Sequence, residues 1–230
     1  MKIFISSAIT TNSFGKPISS TPEGIANFWK WFGDSKAVDS QGRPVVVYHG
    51  SKSDISSVDT LKYGVGKDEY GSGFYTTTEK HTASGYAEGD GDGGNVIPLY
   101  VRILKPVNVN KALTRLQIHK LIISSPDFNE SIQNFGDVSF EGYVKVLDSA
   151  IDQYVDMEGL YCLNMIATDF WKGNEGKFLE AANKITKYDG VINKFENGET
   201  FYVSWLPNQI KSVYNNGKFG KTHSITASGE

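Results

Sequence analysis

Residues 45–51 read Val45-Val46-Val47-Tyr48-His49-Gly50-Ser51; a second block, Gly71-Ser72-Gly73-Phe74-Tyr75, is followed eleven positions after Tyr75 by Tyr86. The first block is a β-branched run, short enough for a buried strand, fed by the turn Gln41-Gly42-Arg43-Pro44. This reading puts His49 at the strand's C-terminal end. A histidine there can offer a ring nitrogen to a hydroxyl, and the glycine after it lets a ligand approach the backbone closely. Each block also has an ordinary structural reading. A strand-end histidine is most often a satisfied structural residue, and glycines around a serine read as a turn with the following aromatic in the core. Order and spacing together point to chemistry.

Working outward, residues 23–32 carry Ile25, Phe28, Trp29 and Phe32 at i, i+3, i+4 and i+7, one apolar helix face. Thr21-Pro22 supplies an N-cap and a first-turn proline, and Gly33 a stop. Residues 73–78 and 96–104 read as strands, with a helix at 82–87 and the flexible loop Asp90-Gly91-Asp92-Gly93-Gly94 between them. From 111 to about 186 the pattern becomes helical: Leu113, Leu116, Ile118, Leu121 and Ile122 mark one helix, and 143–155 and 178–185 two more. Strands return at 190–193, 200–205 and 210–214. Residues 9–22, rich in Thr, Ser, Gly and Pro, read as a linker behind a strand-like 2–5. The organisation expected is an arm or linker over 1–22, one α+β domain over 23–220 with a helical insertion at about 111–186, and a disordered tail at 221–230. There is no internal repeat.

The length of 230 residues suits one domain with an added insertion. With 39% hydrophobic, 13% aromatic and 21% charged residues, the composition is that of a globular chain. A net charge of -3 supplies no overall basic field for nucleic acid. The single Cys162 excludes an intramolecular disulfide and argues against a thiolate zinc site; beside Tyr161, Leu163 and Met165 it reads as a buried structural thiol. No run approaches the roughly 18 apolar residues of a membrane span. Ser6 and Ser7 interrupt a short apolar start, a poor secretory signal, so a cytoplasmic location is expected.

His49-Gly50-Ser51 after a strand, Gly73-Phe74-Tyr75, and then Tyr86 resemble the nicotinamide pocket of the diphtheria-toxin and poly-ADP-ribose-polymerase branch of the ADP-ribosyltransferases. The chain is still more similar to the phage-associated ADP-ribosyltransferase domains of polyvalent proteins. Their lead-in is matched by Phe28-Trp29-Lys30-Trp31-Phe32-Gly33-Asp34-Ser35-Lys36 and the Tyr48-His49-Gly50 block. Their closing segment is matched by Tyr202-Val203, Pro207-Asn208-Gln209-Ile210-Lys211-Ser212 and Asn216-Gly217-Lys218-Phe219. The likeness covers residues 26–105 and 188–220.

The resemblance implies an ADP-ribosyltransferase-like split β-sandwich and NAD⁺ as substrate, with no metal. In that frame His49 hydrogen-bonds the adenosine ribose, Gly50 grips the nicotinamide carboxamide through its backbone, and Ser51 adds a hydroxyl. Tyr75 and Tyr86 sandwich the nicotinamide ring. The family's catalytic glutamate belongs eight positions before Gln209, where this chain has Phe201. Glu199, two residues earlier and on the same strand face, is the candidate carboxylate, against the alternative of an exposed charge beside a hairpin turn. Gln209 reads as a structural strand-end residue, with a place in the site as the alternative.

The implied activity is cleavage of NAD⁺ at the nicotinamide–ribose bond and mono-ADP-ribosylation of a macromolecular acceptor, as in a phage or bacterial effector or toxin. The acceptor is unassigned; a protein side chain is favoured over nucleic acid, and Lys211, Lys218 and Lys221 read as a solvated face. No membrane partner is expected. Two alternatives stand beside this reading. One is a catalytically weak NAD-binding module, prompted by Phe201. The other is a small phage-type ribonuclease pairing His49 with His81 or His119 for acid and base work.

Overall fold

The computed structural model describes residues 9–52, 55, 70–88, 94–128, 130, 139–215, 217 and 219–220. The expectations for a strand at 2–5, for the loop at 90–93 and for the tail after 220 lie outside these residues. Two compact units are present: the first takes Met1–Asp59, Phe74–Pro106 and Gly190–Glu230, the second Thr60–Gly73 and Val107–Asp189.

The first unit is a sheet with helices. Its first helix, α1 (Pro22–Phe32), starts where the Thr21 hydroxyl accepts the Gly24 amide at 3.1 Å and stops at Gly33, whose φ of 55° is in the left-handed region. The buried residues on it are Gly24, Phe28, Trp31 and Phe32, so Trp31 joins the apolar face while Ile25 and Trp29 are only half-buried. Both indoles find acceptors on flanking segments: Trp31 Nε1 donates to the Asn208 carbonyl at 2.8 Å and Trp29 Nε1 to the Ile9 carbonyl at 3.0 Å. A helix covered from two sides buries a wider stripe than simple periodicity picks out.

The strands are β1 (Val47–Ser51), β2 (Phe74–Thr77), β3 (Asn95–Val101), β4 (Gly190–Lys194), β5 (Thr200–Ser204) and β6 (Ile210–Ser212). They form one antiparallel sheet in the order β4-β5-β2-β1-β3-β6. With helix α2 (Lys80–Glu88) between β2 and β3, this is the expected α+β, ADP-ribosyltransferase-like architecture. The division implied by a split sandwich lies within one sheet. β1 meets β2 at a single register pair, Tyr48↔Thr77, whereas β1 pairs with β3 from Val47↔Leu99 through Ser51↔Asn95 and β2 with β5 from Phe74↔Ser204 through Thr77↔Phe201. The sheet is therefore two three-stranded halves joined at a narrow seam.

Two expectations need correcting. His49 is in the middle of β1, because pairing with β3 continues beyond the apolar run to Ser51. Residues 9–21, expected as linker, are packed on the first unit: Asn12 Nδ2 donates to Tyr100 Oη at 3.0 Å, Ser13 Oγ accepts the Val46 amide at 3.1 Å, and Ile18 is buried. A short polar segment can be held by a few specific hydrogen bonds that composition does not reveal.

In the second unit, described helices are α3 (Arg115–Ile123), α4 (Phe140–Asp152), α5 (Gly159–Phe170) and α6 (Glu175–Thr186). Ile118, Leu121, Ile122, Leu163, Ile166, Phe178 and Leu179 are buried there. Trp171 Nε1 donates to the Leu121 carbonyl at 3.2 Å. Cys162 is fully buried, and that burial pushes its thiol up to about 12. It is inert packing, as its neighbours indicated.

Candidate active site at the sheet seam

The seam brings most of the candidate residues together. From β1, the His49 ring reaches across: Nδ1 lies 2.7 Å from the Tyr75 carbonyl oxygen of β2, and the ring stacks on Phe74 with centroids 4.1 Å apart and planes 25° from parallel. A carbonyl can only accept, so Nδ1 carries the proton and Nε2 of the neutral ring is left as an acceptor. Burial lowers the His49 pKa below its usual 6.5 and outweighs the opposing pull of the Tyr75 carbonyl. Neutral imidazole is thus the favoured form at neutral pH.

Alternation along the strands assigns the other side chains. Tyr48 faces Thr77 across the seam, so Gly50 and Tyr75 share the face that carries Thr77, while His49, stacked on Phe74, is on the opposite face. β5 extends that face through the pairs Tyr75↔Val203 and Thr77↔Phe201. Glu199, two residues before Phe201, joins it directly: its Oε1 accepts the Thr77 hydroxyl at 2.6 Å. The carboxylate is half-buried at the end of a tight β4–β5 turn, in which Phe195 N–H donates to the Glu199 carbonyl at 2.8 Å and Gly198 adopts a φ of 91°. Phe201, at the position where the resemblance expects glutamate, packs edge-on against Phe195 with centroids 5.5 Å apart.

Helix α2 covers the same face. A Cβ on Gly50 would collide with the Ala83 carbonyl oxygen, and one on Gly94 with that of Ala87, so both glycines are required for the helix to approach the sheet. Ala83 and Ala87 are buried in this contact. Tyr86, between them on the helix, is 67% exposed, a large aromatic left open beside the seam. Ser51 closes β1 opposite Asn95.

Other residues fall outside this cluster. Gln209 is structural: its Oε1 accepts the Trp205 and Leu206 amides at 2.9 and 2.7 Å, and its Nε2 donates to the Arg102 carbonyl at 2.7 Å. Lys211 is buried, not part of a solvated basic face, because it stands opposite Tyr100 inside the β3–β6 pair; Lys218 and Lys221 lie outside the described residues. His81 is exposed on the first turn of α2 and His119 half-buried on α3. Thr77, which nothing in the linear pattern singles out, is the partner of Glu199. A threonine in a run of three carries no signal of its own.

A family described as ADP-Ribosyltransferase in polyvalent proteins matches residues 39–219. The chain belongs to this family. Comparison with curated proteins and with solved structures gives no match. As an ADP-ribosyltransferase domain it has NAD⁺ as the substrate of its class and ADP-ribosyl transfer as its general activity. The family match spans the seam, α2 and the β4–β5 turn together, and it is a family of transferases, not of ribonucleases. Among the described residues no group of three or more His, Cys, Asp or Glu could hold a metal ion, and no helix is long and apolar enough to cross a membrane.

Proposed function

We propose that this chain cleaves NAD⁺ at the nicotinamide–ribose bond and transfers single ADP-ribose units to a macromolecular acceptor, using a His-Tyr-Glu type of site at the sheet seam. The observation that carries this reading is the clustering of Gly50, Tyr75 and the Thr77-bound Glu199 on one sheet face, under the helix that bears Tyr86. In this reading Tyr75 and Tyr86 stack on the nicotinamide ring, and the Gly50 backbone and Ser51 hold its carboxamide. A cationic pyridinium between two electron-rich rings is stabilised by stacking and cation–π attraction. His49, neutral and with Nε2 as acceptor, takes a hydroxyl of the adenosine ribose.

The chemistry follows from charge. As the glycosidic bond loosens, nicotinamide departs with the bonding electron pair and becomes neutral, while positive charge develops on the ribose as an oxocarbenium. Glu199 opposes that charge, and the acceptor's nucleophilic atom then bonds to the anomeric carbon and gives up its proton. Because Glu199 is two positions from the family's usual place, single transfers are favoured over chain elongation. The net charge of -3 and the burial of Lys211 favour a protein side chain over nucleic acid as acceptor. Likeness to phage-borne domains fits an effector role.

Nicotinamide release from NAD⁺, followed together with the mass shift of acceptor or self, tests the reading. Tyr75→Ala and Tyr86→Ala should each slow release roughly tenfold or more, the worth of one aromatic contact. Glu199→Gln should slow it roughly 10²–10³-fold, by analogy with loss of one preorganised electrostatic contact, and Glu196→Gln far less. Unchanged release in both tyrosine variants overturns the pocket, and equal effects of the two glutamate variants overturn the role of Glu199.

A further inference from the structure

Glu199 stands on the face of Tyr75 and Thr77 although it precedes β5 and is two positions before the place expected of the family's carboxylate, and the hydrogen bonds around Thr77 account for this. The Thr77 hydroxyl oxygen accepts the Glu79 amide at 3.0 Å, which occupies a lone pair and leaves its proton for Glu199 Oε1 at 2.6 Å. Thr77 is itself 2% exposed, with its backbone held in register opposite both Tyr48 and Phe201. Beyond it, β2 and β5 are clamped once more: the Thr78 amide donates to the Thr200 carbonyl at 3.1 Å and the Thr200 amide to Thr78 Oγ1 at 3.0 Å. The hydroxyl is therefore a fixed donor on a fixed strand. Among the described residues the second carboxylate oxygen, Oε2, makes no hydrogen bond.

We infer that Thr77 is a positioning residue for the transferase reaction: by holding Oε1 of Glu199 it orients that carboxylate, with Oε2 left for the substrate, in place of a glutamate at position 201. This rests on the reading of Glu199 given above. A charge-assisted hydrogen bond from a buried donor restricts a glutamate that would otherwise sample several rotamers at the end of a turn. The effect belongs in the chemical step, since the ring stacking and amide contacts that bind NAD⁺ do not pass through Thr77.

The test uses the full chain and nicotinamide release from NAD⁺, with kcat and KM measured separately. Thr77→Val keeps shape and burial but removes the donor; it should lower kcat roughly tenfold or more while KM for NAD⁺ stays within about twofold. Thr77→Ser, which keeps the donor, should restore most of kcat. In the Glu199→Gln background, Thr77→Val should add little, since both act through one group. Thermal melts of each variant separate this from a folding defect, because a purely structural role would lower stability and active fraction alike in the double variant. Wild-type kcat in Thr77→Val, equal losses in the Ser and Val variants, or full additivity with Glu199→Gln overturns the inference. If Glu199→Gln itself leaves release unchanged, the reading of Glu199 fails; if only the Thr77 outcomes fail, that reading stands without the positioning role.

Discussion

His49 illustrates how a single side chain is prepared by its surroundings. Its Nδ1 proton is committed to the Tyr75 carbonyl and its ring lies on Phe74, so protonation of Nε2 means charging a half-buried ring next to an aromatic face. Burial accordingly holds its pKa below 6.5, while the unfolded chain has the ordinary value. In the window from 6.5 downward to the folded-state pKa the unfolded chain binds more protons, so stability rises with pH there and is lost on acidification. The Nε2 acceptor disappears in the same direction. NAD⁺ affinity is expected to stay flat down through the ordinary histidine value near 6.5 and to fall only as the pH drops through the depressed folded-state pKa of His49. In His49→Gln, affinity should be lower throughout and this acid limb absent. Titration calorimetry across that range checks it, and an unchanged acid limb in His49→Gln would remove histidine protonation as the cause.

Among the elements, α2 and its two glycine contacts govern how the site is roofed. The helix has little apolar surface of its own: among its described residues only Ala83 and Ala87 are buried, and both pack by close approach to the sheet, not by large side chains. That approach exists because Gly50 and Gly94 present no Cβ to the helix carbonyls. Gly50→Ala should therefore push α2 away and cost about 1–3 kcal/mol, the usual range for overpacking. For a chain of this length each kcal/mol is worth roughly 2–4 °C in melting temperature. The same variant should weaken NAD⁺ turnover beyond its effect on stability, since Tyr86 rides on the helix. A melting temperature within about 1 °C of wild type would show that the helix yields freely.

Across the whole molecule, the sheet is tied together by contacts between distant stretches of chain. Asn12 and Tyr100, 88 positions apart, meet in a buried hydrogen bond of 3.0 Å that anchors residues 9–18 to β3. Asn12→Ala leaves the Tyr100 hydroxyl buried without this partner and should cost about 1–3 kcal/mol. Adding Tyr100→Phe should recover part of that loss, because removing both partners is cheaper than stranding one. Denaturant melts of the two variants decide this; a double variant less stable than Asn12→Ala would contradict it. Sequence alone could not supply this contact, because Asn12 lies in a Ser-, Thr- and Gly-rich stretch with no periodicity. The strands and α1 were legible because apolar spacing and capping residues act locally: Thr21, Pro22 and Gly33 bound α1, and β-branched runs mark β1, β4 and β5. The candidate pocket residues were legible as a spaced pattern, since His49, Gly50, Tyr75 and Tyr86 follow one another in order along the chain. The carboxylate was legible only as a choice between Glu199 and an empty place at Phe201. What the sequence by itself determined was thus the family, the α+β class and which residues to examine, because these depend on neighbours a few positions apart. Only the tertiary structure put Glu199 against Thr77, 122 positions away, put Gly50 beneath α2, and buried Lys211 and Gln209. Those outcomes depend on strand register and helix approach, which are set by packing between segments that the linear order does not bring together.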